Sequence, residues 1–191
     1  MASLVLSGDT SGSITVSAPA ISGSNTQTLV ATTGTLAPIV SGTAVTCAGQ
    51  TSIEFTSIPS WVKRITVMFS GVSLSGSSNF LIQIGSGSFT TSGYVSSGDW
   101  GGSAATSTAG FLVFNAGAGN THSGLATIDL VGSNIWVESG LIRANAAGSG
   151  GGNGGTVTLG GTLDRVRITT VNGTDTFDTT PSAGTFNILY E

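Results

Sequence analysis

Nine acids, one cysteine and one histidine are the side chains that could run acid–base, nucleophilic or metal chemistry in this 191-residue chain. Hydrolysis of a glycan needs two carboxylates held a few ångströms apart about the scissile bond. Asp99, Asp129, Glu138, Asp164, Asp175 and Asp178 are available, but none lies in a recognisable acidic motif. Asp129 and Glu138 sit near opposite ends of a hairpin-like stretch, GLATIDLVGSNIWVESGL. Cross-strand contact is one reading of that pair, and solvated outward positions on amphipathic strands are the favoured one. Asp164, beside Arg165 and Arg167, reads as a surface ion pair of small energetic value. A catalytic thiol needs a base, yet the sole cysteine, Cys47, continues a strand pattern with Val45 and Thr46, and the sole histidine, His122, lies in a Gly/Ser/Thr-rich stretch. Cys47 therefore reads as a small buried hydrophobe. No catalytic residue is assigned, and the chain is expected not to be an enzyme.

Metal and cofactor chemistry fare no better. One histidine, one cysteine and scattered acids give no ligand set of usual spacing. TDTFD, with Asp175 and Asp178 three apart, reads as a loop with two exposed acids before it reads as a Ca²⁺ site. The GSGGGNGG run lacks both the lysine and the following helix of a phosphate loop, so no cofactor is expected. The aromatics say more. Trp100 stands in SSGDWGGS, among residues too small to cover an indole, with Phe89 and Tyr94 shortly before it. Such a ring either packs on a neighbouring subunit or is offered to a ligand, commonly a sugar face. Trp100, Tyr94 and Phe89 are thus the candidate ligand- or receptor-contact residues, while Trp61 and Trp136 lie in strand patterns and default to core or subunit contacts.

The elements that must position these residues are strands. Glycine, serine and threonine supply 86 of the 191 residues, and only 7% are charged, against roughly 25% in an average soluble domain. Gly and Ser disfavour helices and Thr is β-branched. The strongest strand pattern is WVKRITVMFSGV (61–72), with Ile65, Val67 and Phe69 on one side. TSIEFTSI (51–58), NFLIQIG (79–85), 110–114, 124–131, 135–144, 155–159, 163–171 and 184–190 follow. Eight or nine short strands with Gly, Ser and Asn turns predict an all-β fold, an antiparallel β-sandwich that is jelly-roll-like. Three long loops are expected, at 85–110, 116–123 and 144–155.

Residues 1–45 differ from the rest, with a single charge, Asp9, and no aromatic residue before Phe55. Short β-prone pieces (4–6, 13–17, 28–31) alternate with Gly-Ser, Pro and Asn punctuation. Such a segment buries too little apolar area to offset its ordering entropy alone. It is richer in Val, Ile and Leu than a flexible linker, which predicts an extended β-rich arm that orders against other chains. The expected division is an N-terminal attachment and assembly arm over 1–45 and a β-sandwich head over 46–191. Five basic residues and a net charge of −4 argue against nucleic acid, and no apolar run approaches the ~20 residues that span a bilayer. MASLVLSGD lacks the basic and apolar regions of a secretory signal, so synthesis in a cytoplasm is expected.

The stretch IPSWVKRITVMFSGVSLSGSSNFLIQIGSG (58–87), followed by TTSGY (90–94), resembles a module of bacteriophage tail fibre proteins. GTFNILYE (184–191) is similar to the ending of the same module, and VSAPAISGSNTQTLVATTGTL (16–36) resembles fibre N-termini. The resemblance implies a structural virion protein, usually a homotrimer, synthesised in the host cytoplasm. Its arm would dock on the tail or baseplate, and its head would face the host, where a surface glycan is a candidate partner. The family carries no catalytic or ligand residues to transfer position by position, and this chain is shorter than many members. A capsid or baseplate decoration protein, or a lectin-like carbohydrate-binding module, are the alternatives.

Overall fold

The computed structural model describes residues 3–7, 11–17, 37–145, 150–179 and 183–191. Every regular element among them is a strand: β1 (Ser3–Ser7), β2 (Ser13–Ser17), β3 (Val40–Ser41), β4 (Val45–Thr46), β5 (Ile53–Thr56), β6 (Arg64–Val72), β7 (Phe80–Ser86), β8 (Ser88–Phe89), β9 (Val95–Trp100), β10 (Ser103–Ser107), β11 (Phe111–Val113), β12 (His122–Gly132), β13 (Ile135–Ala144), β14 (Gly150–Thr158), β15 (Arg165–Thr170) and β16 (Thr185–Tyr190). All pairings are antiparallel, and the fold is all-β as the composition predicts.

The chain forms two compact units, residues 1–36 and 37–191. The larger begins before the composition changes near residue 45, because β3 and β4 pair with β16, near the other end of the chain. In the smaller, β1 and β2 form a hairpin in the register Ser3↔Ser17 to Ser7↔Ser13. The β-prone piece 28–31 lies outside the described residues.

The larger unit has two sheets. One runs β10-β9-β14-β13-β12-β6-β16-β3, with β4 also on β16; the other runs β11-β7-β15-β5, with β8 on β7. The alternation read from the sequence decides which side chains go inside. Ile65, Val67 and Phe69 of β6 are buried beside Ala126 and Ile128 of β12 and Phe186 and Ile188 of β16. The second sheet supplies Ile53 and Phe55 of β5, Phe80, Ile82 and Ile84 of β7, and Val166 and Ile168 of β15 to the same core. Phe69 meets Phe80 edge-on at 5.6 Å between ring centroids and Phe186 at 4.7 Å, so one aromatic ties the sheets together. Burying each such side chain contributes about 1.5–3 kcal/mol. Two facing sheets over one core make a sandwich.

Among the described residues, two of the expected loops contain strands. Residues 85–110 fold into β8 and the β9–β10 hairpin, whose Trp100↔Ser103 pair is closed by Gly101 and Gly102 at φ 52° and 89°. Two residues with positive φ make the tight turn whose twist suits a hairpin, and glycine takes it without strain. The glycine run expected at the end of a third loop is instead β14, paired with β13 on one side and β9 on the other. At Gly151 and Gly155 glycine is required because the backbone of β9 is too close for a side chain. A Cβ on Gly151 would fall onto the Asp99 carbonyl, and one on Gly155 would lie 2.6 Å from the Val95 carbonyl oxygen. Only the 116–121 segment stays a connection, ahead of β12.

Candidate functional site

The structure separates the three aromatics proposed from the sequence. Tyr94 is 1% exposed, packs edge-on against Phe111 at 5.0 Å, and accepts the Ile84 N–H at 2.9 Å while donating to the Ile84 carbonyl at 3.3 Å. Burial pushes its phenol up to about 12. Tyr94 is thus a core residue, placed just before β9 and packed on β11, and it only borders a groove between β9, β10 and β14. Phe89, at the end of β8, is half-buried under two guanidinium groups, with Arg167 at 4.4 Å and Arg165 at 5.6 Å from its ring centroid. That face is already taken by cations. Trp100 is half-buried beside the turn of the β9–β10 hairpin, its ring 6.3 Å from that of buried His122.

The carboxylates are also sorted by register. β12 and β13 pair Ile128 with Glu138 and Asp129 with Val137, so the two acids stand on opposite faces of the sheet and do not meet. Asp129 lies outside and holds Arg64, which also reaches Glu191, at 2.6 and 2.7 Å. Glu138 is 4% exposed, which corrects the outward reading. Its parity along the strand matches buried Trp136 and Ile142. Asn153 donates its amide N–H to Glu138 Oε1, and desolvation alone pushes the Glu138 carboxyl up to about 8. Asp164 binds Arg165 at 2.7 Å and accepts the Gly87 N–H, and the Arg165 hydrogen bond holds its carboxyl below the usual range.

The remaining chemistry-bearing residues are tied to backbone. Cys47 is buried, donates to the Gly184 carbonyl at 3.1 Å, and its thiol is pushed up to about 11 by burial. His122 is fully buried, with Nε2 accepting the Ala116 N–H at 3.2 Å and Nδ1 facing the Val72 carbonyl at 3.3 Å. That arrangement fixes a neutral ring with its proton on Nδ1. Burial holds its pKa below the ordinary value. Asp175 accepts the Ser78 N–H and Asp178 the Ser73 hydroxyl, so both acids of TDTFD are spent on the one connection between β6 and β7. Among the described residues no group of three or more His, Cys, Asp or Glu could hold a metal, and no helix is long and apolar enough to cross a membrane.

Two surfaces remain. One is a groove of about 490 Å³ between β9, β10 and β14, lined by Tyr94, Val95, Ser97, Thr106 and Gly154 among others, with a mainly apolar surface. It continues past Ser97 and Gly154 to Asp99 and Ala104. The other is the β1–β2 hairpin. Its register sets Leu4 opposite Val16 and Leu6 opposite Ile14, alternating with Ser3–Ser17, Val5–Thr15 and Ser7–Ser13. Leu6 and Val16 therefore share one face of the ladder by register, and Val5 and Thr15 share the other. Leu6 is 54% and Val16 59% exposed. Sequence reasoning found the apolar pieces of this segment, whereas nothing short of the register shows that they share a face. Compared with known protein families, with curated proteins and with solved structures, the chain matches none of them.

Proposed function

We propose that this chain is a non-catalytic structural protein of a bacteriophage virion, a short tail fibre with a β-sandwich head, whose N-terminal arm attaches to the tail or baseplate and assembles copies of the chain as a trimer. The observation that carries the reading is the β1–β2 hairpin. A two-stranded hairpin is marginal by itself in water, and this one holds exposed aliphatic side chains in a unit separate from the core of residues 37–191. A surface of that kind is stabilised when another chain covers it. Tail attachment and trimer stoichiometry come from the resemblance of residues 58–94 and 184–191 to fibre modules. A host-facing role rests on Trp100 and the β9–β10 hairpin, now without Tyr94 and Phe89.

The test is electron microscopy of virus particles carrying this protein, labelled with an antibody raised against it. Label at the tail or baseplate is the expected result. Label over the capsid surface would replace the reading with a decoration protein, and particles without label would remove the virion assignment.

A further inference from the structure

Three buried polar atoms among the described residues have no hydrogen-bond partner: Glu138 Oε2, Asn153 Oδ1 and Trp136 Nε1. Two of them belong to side chains that already touch, since Asn153 donates its amide N–H to Glu138 Oε1. The register explains the meeting. Glu138 pairs with Gly155 and Gly140 pairs with Asn153, so the acid and the amide are diagonal neighbours whose direct partners are both glycines. A Cβ on Gly140 would lie 2.9 Å from both amide atoms of Asn153, so Gly140 makes the space that the side chain fills. Over 150–155 of β14, Asn153 is the one residue with a side chain.

An ionised carboxylate has only acceptors, and so does the amide oxygen. Two facing acceptors, desolvated and unpaired, would cost the fold. A neutral carboxylic acid resolves both at once: Oε1 accepts from Nδ2–H and the acid O–H donates to Oδ1. We propose that Glu138 is carried as a neutral acid whose O–H completes a two-bond pair with the Asn153 amide, and that this pair is a proton-operated latch holding the glycine strand β14 against β13. When the acid ionises its proton passes to water, Oε2 turns from donor to acceptor, and the latch opens.

Among the described residues, nothing on the elements packed around Glu138 offers a charge that would keep the carboxylate. β14 carries no titratable side chain, and neither does β11, which packs against it. Asp129 of β12, Asp99 of β9 and Arg143 of β13 alternate to the exposed side of the sheet. Arg165 and Arg167 of β15 engage Asp164, Gln83 and Glu54. His122 shares the inner side but pairs with Ala144 at the far end of β12, and burial disfavours its charge. The upward shift of the Glu138 carboxyl, with desolvation as its cause, agrees with this setting.

The direct test is the ¹³C carboxyl resonance of Glu138 in the full chain, followed from pH 4 to pH 10. The expected trace stays at the protonated position through neutral pH and moves near pH 8, with backbone protection of β14 falling over the same range. Titration in the ordinary carboxylate range would overturn the latch, including the case in which an ionised Oε2 is held by Trp136 Nε1. Glu138→Gln supplies an N–H in place of the acid O–H. It should match the wild type near pH 5 and lose the fall in stability, up to tenfold in the folding constant per pH unit, between the ordinary range and pH 8. A Glu138→Gln chain that keeps the wild-type pH profile would overturn it too, and the resonance in the unaltered chain decides if that variant does not fold.

Discussion

Replacing Gly151 and Gly154 by alanine, one at a time, tests the central structural surprise, a glycine run that is an interior strand. The two positions lie in the same strand and the substitution is the same, so propensity cancels. Leaving glycine stabilises the folded chain by about 0.4–1 kcal/mol where the backbone and the space permit. Gly154 permits it, since its Cβ would meet nothing nearer than the Glu138 carbonyl oxygen at 3.4 Å. At Gly151 the Cβ would fall onto the Asp99 carbonyl and come within 2.6 Å of that carbonyl carbon, both backbone atoms of β9. The strands must part to admit it. Overpacking of this kind costs roughly 1–3 kcal/mol, and each ladder hydrogen bond lost costs roughly 0.5–1.5 kcal/mol more. Gly151→Ala is expected to destabilise by about 2–4 kcal/mol net, and Gly154→Ala to be neutral or mildly stabilising. For a chain of this length that separates the melting temperatures by very roughly 5–15 °C, at about 2–4 °C per kcal/mol. Urea unfolding followed by Trp fluorescence, with circular dichroism as a second probe, measures it. Equal midpoint shifts for the two variants would refute the close approach of β9 and β14.

Tyr94→Phe should lower the urea midpoint by the equivalent of about 1–3 kcal/mol without changing the slope, because it strands the buried Ile84 N–H that the hydroxyl accepts. A neutral result would show that the hydroxyl is not engaged. Cys47 should resist a thiol reagent at pH 8 in the folded chain and react fully in denaturant, since burial pushes the thiol up to about 11. Rapid labelling of native protein would contradict its place in the core.

How far the sequence reaches depends on the side chains. β6, β13 and β16 were legible because apolar residues alternate with polar ones, as Ile65, Val67 and Phe69 do against Arg64, Thr66 and Met68. Residues 150–154 of β14 were not legible, because a run of glycines has no alternation to show, whereas 155–158 fall within the strand expected at 155–159. The β9–β10 hairpin did carry a signal, the Gly101-Gly102 pair with the flanking runs, and it was absorbed into the appearance of a loop. Tyr94 was misplaced for the same reason. Glu138 could have been read inward from its parity with Trp136 and Ile142, against the expectation that an acid faces water. The small neighbours of Trp100 leave its indole half-buried, with His122, 22 residues away in the chain, as its ring partner, which no local pattern shows.

Assembly through the arm is the claim on which the fibre reading stands, and sedimentation equilibrium of the full chain at micromolar concentration tests it most directly. Leu6 and Val16 are more than half exposed, so serine at both positions removes little that the single chain buries. The account predicts a mass three times that of one chain for the wild type, and a shift toward the single-chain mass for the Leu6→Ser, Val16→Ser double variant. A wild type that sediments as a single chain would contradict it.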